Sequence, residues 1–481
     1  MSFKNILKVF SLVNIVLSLF FLLDIAVAII YHEQYYKLLD FIIIFIALNG
    51  VIFAFLYKHK VDLKIKGSII TVNLIWLILG SVGAVPLIFY THINFASAFF
   101  EAISGFTTTG ATVYQNIESL PHLILFHRSL MHWLGGMGVV VLSVGLLSVI
   151  NPSGGLSLFK AEATGISVDK ITPKIKDTAK TLWIVYITLT LIDTLLLKLF
   201  GMNWFDAINH AFSTISTGGF STKNASLGYW DKNLAIIWIT TIFMLLSGIN
   251  FIAHIKLFND DFSGYKTSEV KWYFAIFFTL AIALSYYYYL NVGNNLTIAS
   301  THSFFTIASI LTTTGFATTN YALWGHGAIV VVFIAMFIGG NAGSTAGGVK
   351  VIRYVIIFKS IASELKRVIK PNNLVSVFVD NNKIENKILL LVFVFFFLYL
   401  LTTVALSLYL FFNGHNSLTS ISAALAIVGN IGPGFGNVDP ASNFAFFSSS
   451  EKIVLSIGMI IGRLECFTVF VLFSKSFWKK F

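Results

Sequence analysis

At 481 residues, 57% hydrophobic and 11% charged, with a mean hydropathy of +0.83, the chain carries more apolar side chain than a soluble domain can cover with so few charges. Many charge-free windows exceed about 18 residues, enough to cross about 30 Å of hydrocarbon, and 48 Phe, 18 Tyr and 9 Trp suit lipid-facing surfaces and interfacial belts. The net charge of +11 does not mark a nucleic-acid surface. Its basic residues gather in short stretches between apolar segments: Lys58, Lys60, Lys64 and Lys66; Lys359 to Lys370; and Lys475, Lys479 and Lys480. That is the signature of cytoplasmic loops. The single cysteine, Cys466, lies in an apolar segment and excludes an intrachain disulfide or a cysteine-rich metal site.

The first predicted spans are residues 9–30, read as a retained helix and not a signal peptide, and 41–57. A triplet then recurs four times: a long apolar span, a shorter segment rich in Ser, Thr and Gly, and a second long span. The copies are 69–90, 96–112 and 130–150; 181–197, 205–222 and 234–257; 272–290, 298–318 and 328–357; and 388–412, 418–435 and 453–473. Repetition on this scale is the strongest organisational signal in the chain. It divides into an N-terminal hairpin (1–66) and four units (67–160, 161–262, 263–370 and 371–481). If each middle segment dips into the membrane and returns, ten crossings put every basic cluster and both termini on the cytoplasmic side. The turns of the dips then lie outside. The expected fold is an all-α integral membrane protein, two N-terminal helices plus four fused helix–pore loop–helix repeats around one central pore.

Each dip ends in a polar run containing glycine. The runs are Gly105-Phe-Thr-Thr-Thr-Gly110-Ala-Thr112, Ser213-Thr-Ile-Ser-Thr-Gly218-Gly-Phe-Ser-Thr222, Ala308-Ser-Ile-Leu-Thr-Thr-Thr-Gly315-Phe-Ala-Thr318 and Ala426-Ile-Val-Gly-Asn-Ile-Gly432-Pro-Gly434. Aligning Gly110, Gly218, Gly315 and Gly432 gives spacings of 108 (218 − 110), 97 (315 − 218) and 117 (432 − 315) residues. A dehydrated cation needs oxygens in place of its water shell. Backbone carbonyls can supply them where the chain is not helical, which a membrane tolerates only beside a water-filled path. Glycine permits the φ that such a backbone requires, and a preceding half-helix aims its partly negative end at the cation. Taken singly, each segment reads better as a small-residue helix-packing interface; four in register point to a cation path. The expected ion-binding residues are Thr108, Thr109 and Gly110; Ser216, Thr217 and Gly218; Thr313, Thr314 and Gly315; and Asn430, Ile431 and Gly432.

Two features fall outside this pattern. Residues 339–348 hold five glycines in ten positions within an apolar span, and at about 1 kcal/mol per glycine relative to alanine a straight helix there is disfavoured. Lys350 follows Val349, so the ending of a phosphate-binding loop is missing. Arg463 sits amid apolar residues in the last span, where a cation is costly and faces protein or water; pairing with Glu465 or a neighbouring acid is the alternative to a place in the pore. Asp24 and Asp193 read as helix-packing polar contacts. No H-E-x-x-H, G-x-S-x-G or paired catalytic Asp motif lies within the spans, so no enzyme is expected.

The runs above, with Trp133-Leu-Gly-Gly-Met-Gly138, Gly339-Gly-Asn-Ala-Gly-Ser-Thr-Ala-Gly-Gly348 and Gly462-Arg-Leu-Glu465, give the whole chain a resemblance to the membrane subunit of Trk-type bacterial potassium uptake systems, within the Trk/Ktr/HKT superfamily. The resemblance implies four fused potassium-channel-like units in the bacterial plasma (inner) membrane, a homodimer with one pore per protomer, and a cytoplasmic regulatory partner with nucleotide-binding domains, similar to TrkA. It also implies potassium as the transported ion, with no bound cofactor, because glycine at all four filter positions accompanies potassium selectivity. The 339–348 segment becomes a gate beneath the filter, with Asn341, Gly343, Ser344, Thr345 and Arg463 as its residues. A secondary symporter coupling potassium to protons or sodium remains the alternative.

Overall fold

The computed structural model describes residues 3–59, 65–150, 175–293, 295–369, 376–380 and 382–479. Of the basic clusters, Lys60, Lys64, Lys370 and Lys480 lie outside the described residues, as do the boundaries at 160 and 161 and at 370 and 371. Among the described residues the regular secondary structure is helical apart from a two-residue antiparallel hairpin, Phe378–Val379 with Asn382–Lys383.

Helices α1 (Phe3–Ile30) and α2 (Tyr36–Phe55) pack on each other, pinned at their centre where Asn14 Nδ2 donates to Asn49 Oδ1 at 3.0 Å. The four repeats follow. Repeat 1 is α3 (Ile65–Thr91), α4 (Phe95–Phe106) and α5 (His122–Ile150); repeat 2 is α6 (Ile175–Leu199), α7 (Trp204–Ile215), α8 (Leu234–Ser247) and α9 (Phe251–Phe258). Repeat 3 is α10 (Ser268–Asn291), α11 (Leu296–Leu311), α12 (His326–Met336) and α13 (Val351–Ile369); repeat 4 is α14 (Asn386–Phe412), α15 (Ser417–Val428), α16 (Ser449–Arg463) and α17 (Phe467–Phe470), with α18 (Lys475–Trp478) at the end. Six described helices are long and apolar enough to cross a membrane, or up to eight spans if two bent pairs count. The ten expected crossings add α5 and the α12–α13 pair. Their outward faces carry side chains such as Ile44, Val51, Leu390 and Phe397, all more than half exposed, which water would not tolerate on this scale but lipid accepts.

Two expected spans are not continuous. The 234–257 segment bends by 98° between α8 and α9, and the 453–473 segment by 111° after Arg463. At the first bend, Gly248 O accepts from Asn341 N–H at 2.8 Å and Phe251 N–H donates to Gly343 O at 3.1 Å. Helical hydrogen bonds are thus exchanged for bonds to a neighbouring segment. At the second, Glu465 and Cys466 take positive φ of 56° and 58°, which an L-residue helix excludes.

The four short helices share a beginning. Each starts from an asparagine, Asn94, Asn203, Asn295 or Asn416, whose side chain accepts a backbone N–H of the first turn. This satisfies donors that the first turn of a helix otherwise leaves without a partner. Three of the helices have 12 residues and α11 has 16, about one extra turn.

Candidate functional site

The short helices also end alike. The N–H groups of Thr108, Thr217, Thr313 and Asn430 donate to Gly105, Thr214, Ile310 and Ile427 carbonyls at 3.0, 3.0, 3.0 and 3.2 Å. Those of Thr109, Gly218, Thr314 and Ile431 donate five residues back, to Ser104, Ser213, Ser309 and Ala426, at 2.9, 2.7, 2.8 and 2.8 Å. This pair of bonds is a Schellman C-cap. Its left-handed position is held by Thr108, Thr217, Thr313 and Asn430, with φ of 52°, 56°, 57° and 53°, although a non-glycine residue there costs about 1 kcal/mol or more. Asn430 therefore follows the geometry of the threonines, and the fourth run, divergent in sequence, does not diverge in backbone.

Two residues after each of these comes a second positive φ: Gly110 at 78°, Gly219 at 85°, Gly315 at 80° and Gly432 at 95°. Repeat 2 thus corrects the expected alignment. Gly219, not Gly218, matches the other three glycines. Gly218 stands with Thr109, Thr314 and Ile431, Thr217 with Thr108, and Ser216 with Thr107 at the helix C-cap. The reason is steric as well as conformational. A methyl group on Gly110 would overlap the Gly218 carbonyl oxygen; on Gly219, that of Thr314; on Gly315, that of Ile431; and on Gly432, that of Thr109. The four contacts run 1→2→3→4→1 and close a ring of backbone, each glycine seated on its neighbour's carbonyl. All four glycines line one cavity of about 140 Å³.

The limb leaving each glycine is tied back to its own short helix. In repeat 1, Glu101 accepts from Thr112 Oγ1 at 2.9 Å and from Val113 N–H at 2.8 Å. In repeat 2, Thr222 Oγ1 donates to Asp206 at 2.5 Å and His210 Nε2 meets Ser221 Oγ at 2.8 Å. In repeat 3, His302 Nδ1 meets Thr318 Oγ1 at 2.9 Å and Ser309 Oγ donates to Phe316 O at 2.6 Å. In repeat 4, Phe435 N–H donates to Ser422 Oγ at 3.0 Å. Arg128 of α5 is a cross-link that sequence reasoning missed. Its Nε donates to Glu101 at 2.8 Å, its Nη2 to Thr112 Oγ1 at 3.2 Å, its Nη1 to Ser221 O at 3.3 Å, and its guanidinium lies 4.0 Å from the Phe220 ring centroid. It therefore bonds the limbs of repeats 1 and 2 together, and both members of the Arg128–Glu101 pair are buried. The signal was present as two charges inside otherwise apolar segments.

Directly beneath the ring lies the glycine-rich segment, which forms a non-helical loop between α12 and α13, as expected. It touches three repeats' short-helix ends. Thr345 Oγ1 donates to Ile215 O at 3.0 Å, and Gly347 N–H donates to Thr313 Oγ1 at 2.6 Å. A methyl on Gly347 would crowd Gly429 O. Arg463 closes the remaining side, its Nη1 donating to Thr345 O at 2.9 Å and its Nη2 to Gly135 O of repeat 1 at 3.4 Å. Ser344 Oγ donates to Asn341 O at 2.6 Å, Gly343 has φ of 74°, and neither polar atom of the Asn341 side chain has a partner among the described residues.

The alternative pairing of Arg463 with Glu465 is not formed. Glu465 accepts instead from Arg353 of α13 at 2.5 Å. Glu269 of α10 was also missed: one carboxylate oxygen accepts Ala342 N–H at 2.7 Å and Ile352 N–H at 3.2 Å, holding both ends of the loop. Lys350 turns back to Ala346 O. Asp24 makes the expected packing contact, with His127 Nδ1 at 2.8 Å. Asp193 does not: neither of its oxygens has a hydrogen-bond partner among the described residues.

A multi-pass helical protein, fourfold about a backbone ring that a polar loop underlies, has the architecture of a transport protein. Comparison with known proteins agrees. The TrkH family model, described as cation transport protein, matches residues 35–480. The Trk system potassium uptake protein TrkH of Escherichia coli (strain K12) is 38% identical over 429 residues, 88% of each chain. The Salmonella typhimurium TrkH is 37% identical over all of both chains. The crystal structure of the potassium transporter TrkH from Vibrio parahaemolyticus superposes with a TM-score of 0.90, at 34% identity and over all of both chains. The chain belongs to the TrkH family.

Proposed function

We propose that this protein takes up potassium across the bacterial inner membrane, with the backbone ring as its selectivity filter. The observation that carries this reading is the closure of the ring, in which four equivalent turns present equivalent backbone at one place. A cation on the axis gains most when each side offers the same oxygens. The filter residues are then Thr108 to Gly110, Thr217 to Gly219, Thr313 to Gly315 and Asn430 to Gly432, supplied by repeats bounded near residues 67–160, 161–262, 263–370 and 371–481. The relatives' names as potassium uptake proteins support potassium as the cargo.

The loop at residues 339–348, with Asn341, Gly343, Ser344, Thr345 and Arg463, is the gate. Its support is position: it packs on the short-helix ends of repeats 2, 3 and 4, while Arg463 reaches repeat 1. Opening belongs to a cytoplasmic partner with nucleotide-binding domains, acting on a homodimer whose termini both face the cytoplasm. The test is cation flux into proteoliposomes of the purified chain, with and without pH or sodium gradients. Potassium flux that is independent of both gradients is expected; flux that requires either makes the protein a symporter.

A further inference from the structure

The N-terminal hairpin lies outside the fourfold pattern, yet it grips repeat 1 at two points on α5 that precede Arg128. At the outer end, Glu33 in the α1–α2 turn accepts His122 N–H at 2.7 Å and Leu123 N–H at 2.9 Å, so its carboxylate caps the first turn of α5 and complements the helix dipole there. Its neighbour Tyr31 stacks on the His122 ring at 3.9 Å and meets Phe205 of α7 edge-on at 5.3 Å. One and a half turns deeper, Asp24 of α1 meets His127 Nδ1 at 2.8 Å, while His127 Nε2 meets Gly83 O of α3 at 3.0 Å. Both side chains are fully buried, and Phe21 packs edge-on against the imidazole at 4.9 Å.

His127 and Arg128 are adjacent on α5, so they point about 100° apart around the helix axis. Fixing the imidazole between α1 and α3 fixes the rotation of α5, and with it the direction of the guanidinium that joins the outgoing limbs of repeats 1 and 2. We infer that the hairpin is a positioning element for ion discrimination: Asp24 and Glu33, through His127 and the start of α5, hold Arg128 and hence two of the four filter limbs in register. This rests on the reading of the ring as the filter. It gives the two helices outside the repeats a function beyond lengthening the chain's path in lipid, and it makes Asp24 a specificity-determining residue although it touches no ion.

The experiment is the potassium-to-sodium flux ratio in proteoliposomes for Asp24→Asn, which keeps side-chain volume and removes the carboxylate charge. Glu33→Gln at the aqueous edge is the milder second variant, and Gly110→Ser runs in parallel. Ratios are taken on protein that elutes as a folded peak, so a loss of yield does not enter them. The expected result is a fall of about threefold or more in the ratio for Asp24→Asn, a smaller fall for Glu33→Gln, and retained total cation flux, because a binding site must be held within about 0.5 Å of its productive geometry. If Gly110→Ser lowers the ratio while both hairpin variants keep the parental value, the positioning inference is overturned and the filter stands. If Gly110→Ser also leaves the ratio unchanged, the filter reading fails and takes the inference with it.

Discussion

Above the ends of the short helices, the four repeats use one design: an asparagine cap, a Schellman turn and a glycine on the next repeat's carbonyl. Below that plane the four second spans part ways. In repeat 1 α5 runs on unbroken; in repeat 2 the span bends by 98°; in repeat 3 it opens into the loop; in repeat 4 it bends by 111°. Close approach is common to all four, since methyl groups on Gly135, Gly248, Gly339 and Gly462 would each crowd backbone or side-chain atoms. What differs is the use made of it. Ion recognition needs equal oxygens on every side of an axis, so sequence divergence such as Asn430-Ile431 is absorbed without a change in backbone. A gate needs one element to move against others that stay, and equivalence would defeat it.

The largest effect should come from the ring. Gly219→Ala places a methyl on the Thr314 carbonyl at a positive φ, and no side-chain deletion relieves a clash with backbone. Gly218→Ala meets the His132 ring instead. In the double variant Gly218→Ala/His132→Ala, potassium selectivity should return towards the parental value, whereas Gly219→Ala/His132→Ala should stay impaired. Ion-selective flux separates them, and equal rescue would restore the Gly218 alignment.

Next comes the support behind the ring. Glu101→Ala leaves Arg128 buried without its carboxylate, and breaking such a pair costs about 3–5 kcal/mol. A lowered unfolding midpoint for Glu101→Ala, partly recovered in Glu101→Ala/Arg128→Met, is the expected outcome.

The inner half should respond in the other sense. A fixed charge about 4 Å from an ion opposes it by roughly 4 kcal/mol at an effective dielectric of about 20. Here the guanidinium is also partly engaged with the Thr345 carbonyl, so the barrier is smaller than that. Arg463→Ala should raise potassium flux with the ion ratio unchanged. It should not unfold the protein through Glu465, whose partner is Arg353. A destabilised variant with no gain in flux would remove Arg463 from the path.

The smallest effect is expected at the caps. Asn94→Ala, Asn203→Ala and Asn416→Ala should each cost about 1 kcal/mol and by similar amounts, read from thermal unfolding. Widely unequal losses would argue against one repeated design.

These contrasts also explain what the sequence disclosed. Long apolar runs placed the spans, and five glycines in ten residues announced the loop, because both are local. The register of repeat 2 was hidden by the pair Gly218-Gly219, either of which fits a glycine pattern. The asparagine caps would have resolved it: sixteen residues separate Asn94 from Gly110, Asn203 from Gly219 and Asn416 from Gly432 (110 − 94, 219 − 203, 432 − 416), and α11 adds one turn. The bends at residues 248–250 and 464–466 were hidden because long apolar runs resume on both sides, although Gly248 and Asn250 at one and Arg463 and Glu465 at the other interrupt them. Their causes are tertiary, in Gly343, Asn341 and Arg353. Glu101 and Arg128 were passed over for the same reason: partners 27 residues apart are joined by the fold and not by any helical spacing.

The central claim, that selection lies in the fourfold outer half and gating in the unequal inner half, is tested most directly by one set of flux ratios. Potassium and sodium flux would be measured in proteoliposomes of Gly110→Ser, Gly219→Ser, Gly315→Ser and Gly432→Ser, beside a variant shortened within residues 339–348. Each serine variant should lower the potassium-to-sodium ratio, and the shortened loop should raise flux at the parental ratio. Parental ratios in all four serine variants, or a ratio altered by the loop alone, would contradict the account.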